Sequence, residues 1–371
     1  MSILAVNKNL IVVAKGLHLD VFDGSDHNVV HITPKGKPQA GDYIVDVIIS
    51  TDSKYVAIIT ALSKELILFD LPLSSRTRNF ELPRSASKIR CSPDNSKILV
   101  ADKSGDALEY DINSEVQSSN KILGHLSLLL DILQTNDKKY IITTDRDEKI
   151  KVSCYPNTYN IQTYCLGHKE FVNHIELLPH NNTYLLSTSG DGMIKIWNYV
   201  NGTICHTIET NKDVNDDQLK LQFIKSMDDD GIQVSALPVV HCAVAQLSDT
   251  ASLVAVTIHT LNEILIYTVH HENERFVHKL KEKLTLENFP TAIQFENSML
   301  YVYYEHKCSV RVYRVSTDDA VVFDAEIKMF KELSDDVVVN EAHSSIKVLY
   351  KRKFDNVQEY QERKKLRLEK S

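Results

Sequence analysis

The sequence predicts an all-β fold, a closed seven-bladed β-propeller with a short basic C-terminal tail, and three observations predict it. A polar turn followed by a short apolar or alternating strand recurs along the chain. Each of these strands is followed by a second, alternating one. The recurrence is periodic: Tyr55, Lys97, Tyr140 and Tyr184 occupy matching places in successive units, 42, 43 and 44 residues apart. Paired strands repeating every 40–45 residues or so mark propeller blades, because a single small sheet cannot bury its faces until its neighbours stack on it.

Taken in order, "NLIVVAKGLHLDVFDG" reads as two strands of a first blade. Six further pairs follow: "STDSKYVAIIT" with "ELILFD", "SPDNSKILVAD" with "ALEYD", "TNDKKYIITTD" with "KIKVS", "PHNNTYLLSTS" with "MIKIW", "LSDTASLVAVTI" with "EILIY", and "FENSMLYVYYE" with "SVRVYRV". That makes seven blades. "DVVVNEAHSSIKVLYK" is expected to supply strands that close the last of them, since an open sheet edge invites aggregation. An acidic insertion at about 209–235, carrying Asp213, Asp216, Asp217 and Asp228 to Asp230, is expected to be a solvated loop or a short helix between blades. The domain reading is therefore a propeller over 1–350 and a basic tail over 351–371.

Composition is that of a soluble globular chain: 371 residues, 43% hydrophobic and 25% charged. The net charge of −8 is unevenly placed, because residues 351–371 hold eight Lys or Arg against four Asp or Glu. The rest of the chain is thus more acidic than the whole, which disfavours a body wrapped in nucleic acid. Six scattered cysteines without a C-x-x-C pair read as buried, reduced thiols. The apolar N-terminus is interrupted by Asn7, Lys8 and Asn9, so neither a signal peptide nor a membrane span is expected, and the protein is expected to be intracellular.

The fifth strand pair carries further detail. Gly167-His168, Ser189-Gly190-Asp191-Gly192 and Trp197 fall within one unit, which resembles a WD repeat with Asn198 in place of the usual Asp. The resemblance implies a buried brace in which His168, Asp191, Trp197 and a strand hydroxyl satisfy one another. Gly124-His125 repeats the first element 43 residues earlier, so His125 is expected to brace its own blade and not to bind metal.

No catalytic constellation accompanies these features. The one G-x-G, Gly190-Asp191-Gly192, joins two strands and has no helix N-terminus behind it for phosphate. No Walker or H-E-x-x-H sequence occurs, and "VHHENERFVH" matches no ligand spacing, so no metal is expected and a solvated loop or strand end is. A propeller enzyme would need converging acid, base or metal groups that the sequence does not offer. The chain reads as a binding protein.

"TTDRDEKIKVSCYP" then raises the question of what is bound. A tight turn between strands needs Asn, Asp or Gly and little else, yet Asp145, Arg146, Asp147, Glu148, Lys149 and Lys151 crowd into seven positions. Exposed ion pairs contribute only about 0–1 kcal/mol each, so folding gives little reason for them. One reading is a solvated turn whose charges neutralise one another; the other is a turn covered by a partner, where charges fix orientation.

"VADKSGD", "TTDRDEKIKVS", "CLGHKEFVNHI", "STSGDGMIKIW" and the later "FDNVQEY" together resemble the WD-repeat non-catalytic subunit of eukaryotic tRNA (guanine-N7-)-methyltransferase. The likeness is dense from about 91 to 200, returns near 350, and rests on blade pattern alone between about 205 and 345. It implies a heterodimer in which a separate catalytic subunit holds S-adenosylmethionine and methylates a guanine of the tRNA variable loop, with no cofactor on this chain. The implied partner-facing residues are Lys103, Asp147, Glu148 and Lys151, with Arg146 as a weaker addition whose alternative is pairing with Asp145 or Glu148. Lys151 departs from the family's frequent Arg, which removes the planar two-pronged grip on a carboxylate.

The tail has three readings that stay open. Lys351, Arg352 and Lys353, then Arg363, Lys364, Lys365 and Arg367, have the spacing of a bipartite nuclear address, which would place the protein in the nucleus and possibly the cytoplasm. They could instead reach tRNA phosphates or the partner, or form a solvated end. The rival to the whole assignment is a general WD scaffold such as a ubiquitin-ligase substrate receptor. Such receptors commonly carry Arg two residues after the WD pair, and Trp197-Asn198-Tyr199-Val200 has none.

Overall fold

Each predicted strand pair forms part of a four-stranded antiparallel sheet in the computed structural model, which describes residues 3–35, 40–72, 77–114, 118–272, 275–316, 320–330 and 346–351, together with Glu362 and Lys365. The first blade is β1 (Leu4–Asn7), β2 (Leu10–Lys15), β3 (His18–Phe22) and β4 (His27–His31). The second is β5 (Ile44–Ile49), β6 (Tyr55–Thr60), β7 (Glu65–Asp70) and β8 (Thr77–Glu81). The third is β9 (Ala86–Cys91), β10 (Lys97–Asp102), β11 (Asp106–Asp111) and β12 (Asn120–Gly124). The fourth runs β13 (Leu129–Gln134), β14 (Tyr140–Asp145), β15 (Ile150–Cys154) and β16 (Ile161–Cys165). The fifth runs β17 (Val172–Leu177), β18 (Tyr184–Ser189), β19 (Met193–Asn198) and β20 (Thr203–Glu209). The sixth and seventh are β21 (Val239–Ser248), β22 (Ala251–Ile258), β23 (Glu263–Glu272), β24 (Arg275–Thr285), and β25 (Ala292–Glu296), β26 (Met299–Tyr304), β27 (Ser309–Arg314), β28 (Val322–Lys328).

Second strands such as β6 and β22 are buried along their whole length, which is why they read as unbroken apolar runs. The core is correspondingly divided into wedges, one between each pair of neighbouring blades. The first strands line the ring's inside, and β1 lies beside both β5 and β25, so the seven-bladed propeller closes on itself. A side-chain amide seals that closure: Gln294 accepts from the Val6 N–H and donates to the Val6 carbonyl, each at 3.0 Å.

This closure corrects one expectation. "DVVVNEAHSSIKVLYK" does not complete a blade with any described residue: 331–345 lie outside the described residues, and Ile346–Leu349 is a 3₁₀ turn. β28 takes the outer place in the seventh sheet, which is four-stranded from described residues alone.

The acidic insertion is a short helix, α1 (Asp217–Asp228), capped by Asp216, which accepts from the Leu219 N–H at 2.8 Å. It is docked and not merely solvated: Phe223 and Met227 are buried, and Tyr267 donates to Asp213 at 2.9 Å. The described residues of "VHHENERFVH" lie at the end of β23 and the start of β24 and are only partly solvated. His271 stacks on Phe276 at 4.3 Å, and His278 meets His206 of the next blade's edge at 2.7 Å. All six cysteines are free, but only Cys165 is buried; Cys205 is exposed and the other four are partly so. The expectation of uniformly buried thiols therefore fails: Cys205 sits on the outer strand β20, and Cys91 and Cys242 sit on first strands, which line the ring's inside.

Across the inner strands, Asp46 pairs with Lys88 at 3.1 Å and accepts from the Ile89 N–H. Asp131 pairs with Arg90 at 2.9 Å and accepts from the Ile175 N–H, while Arg90 continues to Glu176 at 2.6 Å. Each carboxylate thus ties its own blade to the next.

Candidate partner interface

The brace forms in the fifth blade. His168 places Nδ1 3.0 Å from Asp191 Oδ2 and Nε2 2.7 Å from Ser187 Oγ, and Trp197 Nε1 donates to that same hydroxyl at 2.8 Å. Asp191 also accepts from the N–H groups of Lys169 and Met193. The turn requires Gly192, whose φ is +73° and whose Cβ would sit 2.2 Å from Asn211 Nδ2. In the fourth blade His125 reaches Asp145 at 2.9 Å and Thr143 Oγ1 at 2.7 Å. There the chain stops: the place of Trp197 is taken by Ser153, whose buried Oγ has no hydrogen-bond partner among the described residues.

Acid should dismantle this architecture in two stages. Burial holds His180, His206, His241 and His259 below their ordinary pKa, His241 at about 3. A neutral folded imidazole binds fewer protons than the unfolded one, so stability is lost as pH falls below about 6.5. Asp131, Asp145 and Asp191 follow at lower pH. Burial raises each, but Arg90 and His174 for Asp131, and the bracing histidine with backbone N–H groups for the others, outweigh it and hold the carboxyls low. Their contribution is complete above about pH 4 and disappears below it. The urea midpoint should be level from pH 8 to 7, decline below 6.5 and steepen below 4.

Asp145 explains part of the charged turn. Its second oxygen accepts from the N–H groups of Asp147 and Lys149 at 2.9 and 3.0 Å, so it builds the β14–β15 turn from inside. Asp102 does the same in the third blade for Ser104 and Asp106, which sets Lys103 out in solvent on the same face of the ring. Glu148 takes the left-handed conformation at φ +65°. Asp147 and Glu148 then point outward, where Lys351 meets them at 3.6 and 2.6 Å. Arg146 pairs with neither Asp145 nor Glu148; its N–H donates to the Leu128 carbonyl and its buried Nε has no partner among the described residues.

Lys151 lies apart from that turn. It is only 8% exposed, and its ammonium donates to the Gly124 carbonyl at 2.9 Å. It makes no ion pair among the described residues, and burial depresses its pKa, with Asp145 only partly opposing. It lines a groove of about 430 Å³ between the outer strands β12 and β16, with Lys121, Leu123, Pro156, Thr158 and Tyr159. An apolar rim adjoins the groove: Tyr159 is 80% exposed and Leu166 60%, with Ile161, Tyr164 and Ile204 also open to solvent. Sequence reasoning passed over this rim. Its signal was "IQTYCLGH", too apolar on its outward positions for a solvated outer strand.

Of the tail residues, Lys351 lies on the turn and Lys365 is exposed in a helical position; Arg352, Lys353, Arg363, Lys364 and Arg367 lie outside the described residues. Among the described residues no group of three or more His, Cys, Asp or Glu side chains is placed to hold a metal.

Comparison with known proteins extends the likeness well past residue 205. The family described as "tRNA methyltransferase TRM82 WD40 domain" matches residues 111–320, more than half of the chain. A Drosophila grimshawi protein named "tRNA (guanine-N(7)-)-methyltransferase non-catalytic subunit wuho" is 34% identical over 88% of this chain and 80% of its own length. The Drosophila melanogaster protein of that name is 30% identical over 88% and 74%. The Drosophila mojavensis one is 39% identical over 54% of this chain, a match spanning only 55% of that relative. Among solved structures, a chain of "Crystal Structure of Mitotic Checkpoint Complex" superposes with a TM-score of 0.66 at 11% identity, over 85% of this chain and 91% of that one. That last likeness concerns the fold alone.

Proposed function

This chain belongs to the TRM82 WD40 family of tRNA methyltransferase, and from that premise we propose that it is the accessory, non-catalytic subunit of a tRNA (guanine-N7-)-methyltransferase. In this reading it docks a separate catalytic subunit through the side of its third and fourth blades and keeps that subunit competent to methylate a guanine in the tRNA variable loop. S-adenosylmethionine resides on the catalytic subunit. The basic residues from Lys351 onward serve a nuclear protein that also contacts tRNA or the partner, and their clustering supports this part of the reading.

One observation carries it. The Lys151 side chain is largely buried with no carboxylate in ion-pair contact among the described residues and only partial compensation from Asp145, in a groove rimmed by exposed aromatic and aliphatic side chains. Burying a cation without a counter-ion is costly, and a partner carboxylate entering the groove would remove that cost. The apolar rim and the Asp147–Glu148 turn give the same surface the mixed character of a protein interface, with an apolar centre and charged surroundings.

The test is co-expression with the catalytic guanine-N7 methyltransferase subunit. A one-to-one complex should co-purify and bind S-adenosylmethionine, while this chain alone should show no saturable uptake of it by calorimetry. Saturable binding of that cofactor to the isolated chain would overturn the assignment.

A further inference from the structure

The segment after the seventh blade is fastened to three distant parts of the molecule. Lys347 Nζ donates to Ser226 Oγ at 2.9 Å and pairs with Asp230, at the C-terminal end of α1. Ile346 and Leu349 pack on the apolar cluster that contains Phe223 and Met227. Tyr350 is buried, edge-on to Phe171 at 5.0 Å, and its hydroxyl donates to the Gly190 carbonyl at 2.9 Å. The next residue, Lys351, lands on Glu148 at 2.6 Å and Asp147 at 3.6 Å, about two hundred positions away along the chain.

These contacts differ in strength. Tyr350 is held by burial and a hydrogen bond inside the fold, whereas the ion pair is open to solvent, with Lys351 43% and Glu148 32% exposed. An open pair of this kind contributes little and is easily exchanged. Tethering nevertheless keeps Lys351 at a high effective concentration beside the two carboxylates. We propose that Lys351 is a built-in competitor: it occupies the Asp147–Glu148 notch as a stand-in for a basic side chain of the partner, and docking of the partner displaces it. This rests on the reading above that the turn faces a catalytic subunit. The notch is then a site for an ammonium or guanidinium group. A stray cation must beat the tether, while a cation delivered within a large covered interface does so readily.

Two measurements on the full chain test this. Hydrogen exchange in the free protein should quicken at Arg146 to Lys149 in Lys351→Ala; unchanged exchange there overturns the strap contact itself. Affinity for the catalytic subunit should rise about two- to five-fold in Lys351→Ala at low salt, with the gain shrinking at high salt, and should fall in Glu148→Lys. Equal or weaker binding by Lys351→Ala overturns the competitor, since Lys351 would then be a bystander or part of the interface. Should neither the wild type nor Lys351→Ala bind that subunit, the functional reading fails and the competitor with it, while the exchange result still decides the strap.

Discussion

Trp197→Ala should lower the unfolding free energy by about 3–5 kcal/mol, the cost of deleting a large buried aromatic side chain. The indole is fully buried in the wedge between the fourth and fifth blades, against Cys165, Leu185 and Val172. Deleting it opens a cavity that the strands cannot close, because β19 is fixed by pairing on both sides. It also removes the donor to Ser187 Oγ, on which His168 depends. Trp197→Phe keeps most of the volume and loses only the N–H bond, so about 1–2 kcal/mol is expected. This is the chain's one Trp, so urea unfolding must be followed by circular dichroism. A Trp197→Ala midpoint indistinguishable from that of Trp197→Phe would mean that packing in this wedge does not matter, and a Trp197→Phe midpoint equal to the wild type's would refute the brace.

The second and third strands of each blade were legible because both their faces meet neighbouring blades, and apolar runs follow from that. Outer strands were harder to read. β28, "VFDAEIK", is mostly exposed, and its pattern carries no core signal. "IKVL", Ile346–Leu349, alternates like a strand yet forms a 3₁₀ turn. Alternation states which residues can be buried together, not whether a sheet edge remains to receive them, and here β1 and β25 had already closed the ring. The helix α1 was hard to distinguish from a loop because only Phe223 and Met227 along it are buried, too few to set a helical period against so many charges.

The candidate site was legible as a place and illegible as a geometry. Six charges in one turn drew attention to the β14–β15 end of the fourth blade, but spacing cannot say which way each side chain faces. Asp145 turns inward and serves His125 and two backbone N–H groups. Asp147 and Glu148 turn outward, to a lysine that only the folded chain brings near. Lys151, two residues into β15 in the alternation, faces the groove and not the turn. One cluster in sequence is thus two sites in space, an acidic notch above and a basic groove at the side.

That separation decides how the groove should be tested. Lys151→Glu, the obvious reversal, would press a carboxylate against the Gly124 carbonyl oxygen that now accepts from the ammonium, so it would damage folding and binding together. Lys151→Met keeps the length and apolar stem and removes only the charge. The depressed pKa of Lys151 means that its charged form is less favourable in the folded chain than in the unfolded one. Gly124 is exposed, so water can satisfy its carbonyl. The urea midpoint of Lys151→Met should therefore match the wild type or exceed it slightly. Affinity for the catalytic subunit should fall roughly thirty-fold or more, because a partner carboxylate would be left buried and unpaired. Lys151→Arg should retain most of the affinity, since it keeps the cation and adds a two-pronged grip. Wild-type affinity in Lys151→Met would remove the groove from the interface and leave the depressed ammonium as a structural cost without a functional return.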